Sequence, residues 1–347
     1  MITTSSRRRG TSRLRSFGHR GLMAWLLVIS VGSAAVAVSL TAPEAVPGLP
    51  PPGPVVRLGL PAARVLVDVA ATAVVGLSLL AKLLGFDRPE LTEPVMRTAR
   101  RWAVRAAFVW ACSAVVAVVL QASEAMSPSE FPSLAQLAAY VGQISSPKGL
   151  LASAAFGMLA AAFCKLAIRY GESVPAELRI VVSLFGLLPL PVTGHAAQWY
   201  WHDLSMVSME LHITGAALWA GGLFAMTVLV AARRDLLVDA LPRFSKLATV
   251  CLLVVGASGL VNGLTQLALD TELPGSLLTS PYGQLVIAKT ACLVVVAVLG
   301  AKIRWRLMPW IRRGERTSLF AWAFAEVTVM AIAYGIAVVL SRASIAP

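Results

Sequence analysis

The stretch SLFAWAFAEVTVMAIAYGIAVVL, residues 318–340, contains a single charged side chain, Glu326. About 20 consecutive apolar residues are enough for a helix to cross the hydrocarbon core of a bilayer. A helix is required there because lipid offers no hydrogen-bond partners to backbone N–H and C=O groups. The stretch therefore predicts a membrane-spanning α-helix.

Further apolar stretches of similar length precede this one along the chain. They occupy residues 21–42, 62–84, 102–122, 150–168, 178–195, 206–231, 247–268 and 283–301. The sequence thus predicts an all-α, polytopic integral membrane bundle of about nine transmembrane helices. The first stretch follows an Arg-rich segment, as the core of a secretory signal does. Its length favours an uncleaved helix, and cleavage would leave eight spans.

The composition agrees with this fold class. Hydrophobic residues make up 57% of the 347 residues, charged residues 14%, and the mean hydropathy is +0.75. A soluble domain has roughly 45–50% apolar and about 25% charged residues. These values exclude a soluble enzyme, a disordered chain and a disulfide scaffold. The four cysteines lie in apolar stretches without a C-x-x-C pair, and we expect them to be small buried hydrophobes.

The basic residues behind the net charge of +13 are distributed unevenly along the chain, and their distribution indicates the orientation in the membrane. Of the 30 Lys and Arg residues, 25 fall in or at the edges of alternate inter-span segments, at 1–20, 85–101, 165–180, 232–246 and 302–317. Cytoplasmic loops of membrane proteins carry such an excess. We therefore expect a plasma-membrane protein with its N-terminus inside and its C-terminus outside. The basic charge does not indicate nucleic acid as a partner.

Polar side chains inside the apolar stretches are the candidates for function, because each is costly to bury in a membrane. They are Arg64, Asp68, His195, Glu210, His212, Asn262, Gln266, Lys289 and Glu326. Arg64 and Asp68 are four residues apart on one helix face, so that they can satisfy each other. Lys289 and Glu326 fit two interpretations, a structural ion pair or, with Asn262 and Gln266, the lining of a polar transport path.

Three of the four histidines fall within 18 residues, in GHAAQWYWHDLSMVSMELH, residues 194–212. A hairpin of two helices would bring His195 and His212 to the same depth near the outer face, with His202 in the loop. Met209 lies three residues before His212 and shares its helix face. Imidazole together with thioether favours copper, and Cu(I) in particular. The alternative is that these residues are interfacial polar groups beside an aromatic belt.

The second half of the chain resembles the copper resistance protein D family. The resemblance is carried by GHAA at 194–197, LHITGAALWAGGL at 211–223 and RFSKLATVCLLVVGASGLVNGL at 243–264. Its most specific part is LTSPYGQLVIAK at 278–289, and it extends to Glu326 in the last span. The chain then divides into a disordered basic tail (1–20), N-terminal transmembrane helices (21–189), a CopD-like region (190–340) and an outer tail (341–347).

The resemblance implies copper transport or homeostasis, with copper captured at the outer face. It implies a CopC-type periplasmic copper carrier and respiratory oxidase assembly factors as partners. No nucleophile–base pair and no nucleotide motif is present, so the sequence does not predict an enzyme. Two alternatives stay open, a b-type cytochrome with His195 and His212 as axial haem ligands, and a copper-relay scaffold that transports nothing.

Overall fold

The structure is a computed structural model that describes residues 8–40, 53–126, 131–191, 202–267, 278, 280–313 and 319–341. Within these ranges the chain is helical and contains no strand, as the sequence predicts. The helices are α1 (Arg8–Leu40), α2 (Pro54–Leu84), α3 (Pro89–Met126), α4 (Leu134–Gln143), α5 (Ser145–Tyr170), α6 (Ala176–Phe185), α7 (His202–Ala225), α8 (Arg234–Leu267), α9 (Pro281–Lys302), α10 (Met308–Arg312) and α11 (Leu319–Leu340).

Eight of these helices are long and apolar enough to cross a membrane: α1, α2, α3, α5, α7, α8, α9 and α11. The protein is therefore a multi-pass membrane protein. The ninth predicted span, at 178–195, differs from the expectation. Of its described residues, 178–191, the α-helical ones end at Phe185, and turns follow from Gly186. The chain still passes through the bundle here, because Leu190 belongs to the core cluster that contains Leu60 of α2.

The break after α6 has a packing cause at Gly186. A Cβ atom at this position would lie 2.5 Å from the indole of Trp110 and 2.8 Å from Phe156. The hydroxyl of Ser153 on α5 donates a hydrogen bond to the Gly186 carbonyl (2.7 Å) and accepts one from the Trp110 indole N–H (3.0 Å). These contacts satisfy the carbonyl that leaves the helix, so the chain can unwind inside the bundle.

Polar contacts join several helix ends at one end of the bundle, which we call the inner end. Arg100 of α3 and Arg179 of α6 are both buried, and both bind Glu172 in the α5–α6 connection. Arg88, before α3, contacts Asp239 of α8. The inner end therefore gathers the basic connections predicted to face the cytoplasm.

Helix α1 begins at Arg8. The helix therefore includes residues 8–20 of the basic segment, while the division of the chain into a tail and transmembrane regions stays a prediction. The first turn of a helix is costly to form, and the membrane-spanning part of α1 supplies it. Each residue added before this part then only extends an existing helix. Arginine is a good helix former, which is why the helix extends through the basic segment.

Helices α2 and α7 approach each other closely at two glycines. A Cβ atom on Gly76 would lie 1.9 Å from the carbonyl oxygen of Gly221, and one on Gly221 would lie 2.3 Å from that of Thr72. Small residues allow such crossings between membrane helices, which gain their packing energy from close backbone contact. Helix α2 thereby holds α7 in the centre of the bundle, while α8 packs on the other side of α7 and α9 packs against α11.

The glycine contact gives a test of the fold. Gly76→Ala should force α2 and α7 apart, since overpacking costs ~1–3 kcal/mol. Gly256→Ala is the matched control, because a Cβ there meets nothing within 4 Å. Thermal unfolding in detergent should show a lower Tm for the first variant alone. Equal Tm values for both variants would contradict the crossing.

The orientation can be tested with two exposed phenylalanines. Phe86 lies between α2 and α3 at the inner end, and Phe131 lies between α3 and α4 at the opposite, outer end. With the expected orientation, a cysteine at position 131 should react with an impermeant thiol reagent added to intact cells. A cysteine at position 86 should react only after permeabilisation. The reverse labelling pattern would show that the protein has the opposite orientation in the membrane.

Candidate functional site

The structure describes the side chains of five of the eight predicted site residues: Met209, His212, Asn262, Lys289 and Glu326. His195 lies outside the described residues, and the side chains of His202 and Gln266 do as well. The predicted pairing of His195 with His212 therefore stays a prediction.

His212 lies well inside helix α7. Helix α7 begins at His202, so that His212 is ten residues from the outer end of the helix, or about 15 Å along its axis. His202 and His212 occupy the same continuous helix and are too far apart along it to ligate one ion together.

The imidazole of His212 is held by helix α8. Its Nδ1 lies 3.2 Å from the hydroxyl oxygen of Ser258. The Ser258 hydroxyl lies 2.6 Å from the carbonyl oxygen of Val254 and donates to it. The backbone carbonyl oxygen of Ser258 accepts a hydrogen bond from the Ser208 hydroxyl, at 3.0 Å. Ser258 thus receives contacts from two residues of α7 and fixes the register between the helices.

These contacts determine the tautomer of the imidazole. A serine hydroxyl has one proton to donate, and the short bond to Val254 uses it. Nδ1 of His212 must therefore carry the proton and donate to Ser258. The lone pair is then on Nε2, which is the form of imidazole that ligates metals. A hydrogen bond on the other nitrogen commonly orients a ligating histidine in this way.

Met209 and Asn262 extend the site toward the outer end. The amide nitrogen of Asn262 on α8 lies 4.0 Å from the sulfur of Met209 on α7. Met209 precedes His212 by one helical turn, so the thioether and the imidazole share the α7 face that meets α8. Gly259 leaves space beside the ring, since a Cβ there would lie 3.5 Å from Cε1 of His212. The site therefore contains a nitrogen donor and a soft sulfur donor on adjacent turns.

Lys289 of α9 lies within electrostatic range of His212. It forms no ion pair with Glu326. Glu326 is level with Gly300, because a Cβ on that glycine would lie 3.4 Å from Oε1. Gly300 follows Lys289 by eleven residues on α9, which is about 16 Å along the axis. The structural ion pair that the sequence allowed is therefore absent.

A second polar contact, which the sequence did not indicate, lies in the centre of the bundle. The hydroxyl groups of Thr72 on α2 and Tyr334 on α11 are 2.9 Å apart. Asp68 lies one turn before Thr72 and interacts electrostatically with Arg64 and Tyr334. Arg64, Asp68 and Thr72 follow at four-residue spacing, and this spacing is the signal that could have found the contact.

Glu326 lies at a cavity of about 230 Å³ toward the inner end. The cavity is formed by residues of α7, α8, α9 and α11, and its lining includes Trp219, Met226 and Phe244. The indole nitrogen of Trp219 approaches the Glu326 carboxyl group but makes no hydrogen bond of standard geometry among the described residues. Glu326 is buried, with only 3% of the residue exposed.

The described residues contain no group of three His, Cys, Asp or Glu side chains that could hold a metal. The four cysteines are free thiols on four different helices. A metal bound at His212 would therefore depend on one imidazole, the Met209 thioether and donors from outside the described residues. Such a sparse, soft donor set suits Cu(I) better than Zn²⁺, which usually has four ligands.

The fold and these contacts define a polytopic helical membrane protein with polar groups buried between its helices. Two family models match the chain: Copper resistance protein D at residues 238–340, and Copper resistance protein D-like, N-terminal domain, at residues 55–202. The chain belongs to the copper resistance protein D family. The N-terminal match shows that the family likeness extends beyond the region at 190–340 in which the sequence analysis found it.

A curated relative is also a copper protein. The copper transport protein CutJ of Bacillus subtilis (strain 168) is 31% identical over 170 residues, which are 47% of this chain and 29% of that protein. The chain therefore spans less than a third of the length of this relative. No solved structure matches the chain. Asn262, Lys289 and Glu326 lie within the range of the first family model, while Met209 and His212 lie between the two ranges.

The role of Ser258 can be tested without removing the histidine. Ser258→Ala should weaken Cu(I) binding at His212 by about 10–100-fold, the usual loss when a metal-ligating histidine loses its orienting partner. Ser258→Thr keeps the hydroxyl and should restore binding. In nitrogen NMR of labelled histidine, the alanine variant should lose the preference for the Nδ1–H tautomer.

Ser123→Ala is the matched control for this experiment. Ser123 is a buried serine on α3 whose hydroxyl donates to the carbonyl of Val119, four residues earlier, as Ser258 does to Val254. The control should bind Cu(I) like the wild type. Unchanged affinity and tautomer in Ser258→Ala would show that Ser258 does not position the imidazole.

Proposed function

We propose that this protein transports copper across the membrane and takes it up at the outer face. The observation that carries the proposal is the arrangement at His212, whose Nδ1 contacts the Ser258 hydroxyl of α8, one turn from the Met209 thioether. A buried polar group in a membrane span needs a partner or a function. Here α8 holds the imidazole of His212 by Nδ1, and Nε2 is the ring nitrogen that would ligate copper.

The donor types support Cu(I) as the transported ion. Neutral imidazole and thioether are ligands that soft copper accepts, and neither adds negative charge. Asn262 places its amide beside the Met209 sulfur, where its carbonyl oxygen is a further weak donor. Two or three such ligands bind an ion without trapping it, as conduction requires.

His195, His202 and Gln266 belong to the outer stage of the proposed path. His202 is at the outer end of α7, about 15 Å before His212. Copper would reach His202 and His195 first and then pass inward to Met209 and His212. Gln266 is on α8, one turn outward of Asn262, and would contribute to the same stage.

Lys289 is proposed to favour release from the outer site. Its charge lies within electrostatic range of His212 and forms no ion pair among the described residues. A fixed positive charge repels a bound cation, most strongly where the surroundings are poorly screened. Bound copper would therefore be held less tightly, and the next ion would displace it inward.

The family likeness supports a CopC-type carrier as the outer donor and respiratory oxidase assembly as a destination. Neither partner is needed for the proposed transport step. The cytochrome alternative predicts a Soret band in the visible spectrum of the purified protein. The scaffold alternative predicts copper binding without transport.

Proteoliposomes test the proposal. Vesicles that contain the wild-type protein should take up Cu(I), supplied as a buffered complex and followed with an indicator inside the vesicle. His212→Ala should abolish uptake because it removes the nitrogen donor, and Met209→Leu should reduce it. Lys289→Met should slow uptake but retain bound copper, since it removes the repulsion.

His19→Ala is the control for these variants, because His19 lies in the basic segment before the first apolar stretch. It should transport copper at the wild-type rate. Wild-type binding without uptake would favour the scaffold. Normal uptake by His212→Ala, at normal abundance in the vesicles, would contradict the proposed path.

A further inference from the structure

The inner cavity contains a carboxyl group without a cation. Glu326 lines the cavity of about 230 Å³ between α7, α8, α9 and α11 and is 3% exposed. Among the described residues it has no cationic partner. Lys289, the cation nearest to the outer site, is about 16 Å away along α9. An ionised carboxylate in such a place is costly unless it binds a positive charge.

Arg304, the other charged residue that lines the cavity, does not supply the positive charge for Glu326. Arg304 lines the inner mouth, one turn beyond Gly300, and its guanidinium is exposed and donates to the hydroxyl of Thr249. Lys302, close by in sequence, places its ammonium over the ring of Trp322 at 4.1 Å. Both cations are already engaged, so the carboxyl group is left for an ion that enters the cavity.

The walls of the cavity supply soft donors. Met226, at the start of the π-helical turn Met226–Val230 that continues α7, and Met308 of α10 both line it, and Met226 is 3% exposed. Met226 is two turns from Trp219, which is itself two turns from His212. Residues seven apart lie on nearly the same face of a helix. One face of α7 therefore carries the imidazole of His212 and, further inward, the indole of Trp219, and the thioether of Met226 follows in the turn that continues this helix.

We infer that this cavity is a second, inner binding site for a soft monovalent cation, held by the Glu326 carboxylate with thioether donors from Met226 and Met308. The inference rests on the proposed transport function and deepens it. It adds a second binding site, inward of His212, and specifies the charge of the ion.

The single negative charge of the Glu326 carboxylate favours a monovalent ion in the inner site. One carboxylate neutralises one positive charge, so that Cu(I) or Ag(I) in the cavity gives a neutral pair. A divalent ion would leave an uncompensated positive charge among apolar walls, where such a charge is poorly tolerated. Thioether ligands favour the soft monovalent ion for a second, independent reason. The inner site therefore discriminates against Cu(II) and Zn²⁺.

Silver(I) is the probe for this site, since it has the charge and softness of Cu(I) and is not oxidised in air. Equilibrium dialysis of the purified full-length protein in lipid nanodiscs, followed by elemental analysis, counts the bound silver. Because the cysteine thiols also bind silver, the variants are compared with the wild type. Glu326→Gln should bind one silver ion fewer, His212→Ala one fewer, and the double variant two fewer.

Met226→Leu is the second variant, and it keeps the carboxylate while removing a thioether. It should weaken the silver equivalent that Glu326→Gln abolishes. The matched controls are Met330→Leu, a buried methionine of α11 outside the cavity lining, and Ser245→Ala, a polar residue of the lining. Both controls should bind silver like the wild type, and zinc should not bind in a Glu326-dependent way.

The outcomes separate the two sites. If the cavity variants fold and keep the full silver count while His212→Ala loses one ion, the inner site does not exist and the outer site stands. If only the cavity variants lose silver, the proposed outer site is wrong and the inner one stands. Glu326-dependent binding of Zn²⁺ would overturn the selection for monovalent ions.

Discussion

The hydroxyl group of Ser258 connects the two helices that form the outer site. It accepts from Nδ1 of His212 and donates to the carbonyl of Val254, while the Ser258 carbonyl accepts from Ser208. Inside a membrane each of these groups needs a protein partner. The same bonds that satisfy them also set the tautomer of His212 and the register of α7 on α8, so that structure and proposed chemistry depend on one residue.

Much of the fold could be predicted from hydropathy, since a run of about 20 apolar residues has few alternatives to a spanning helix. The exception is α6, where Gly186 and the Ser153 hydroxyl allow the helix to end inside the bundle. That break depends on contacts with α3 and α5, distant in sequence. The start of α1 at Arg8 likewise depends on its continuity with a spanning helix.

The candidate site could be predicted in its residue types but not in its geometry. The sequence singled out His212, Met209 and Asn262, and the structure brings their helices together. The separation of His202 and His212 could not be read from the sequence, because it depends on where α7 begins, and the structure places both on one helix, ten residues apart. Ser258 gave no signal, since one serine in an apolar span is unremarkable until its partner is known. Lys289 and Glu326 lie at different levels of the bundle, about 16 Å apart along α9, so the two proposed sites are separate.

The central claim is that a soft copper ion is coordinated within the membrane by an imidazole nitrogen and methionine sulfur. X-ray absorption at the copper edge, on the protein with Cu(I) bound, tests this directly. The account predicts a low coordination number with both nitrogen and sulfur scatterers. The nitrogen contribution should fall in His212→Ala and the sulfur contribution in Met209→Leu. A spectrum of nitrogen and oxygen scatterers alone, unchanged in both variants, would contradict the account.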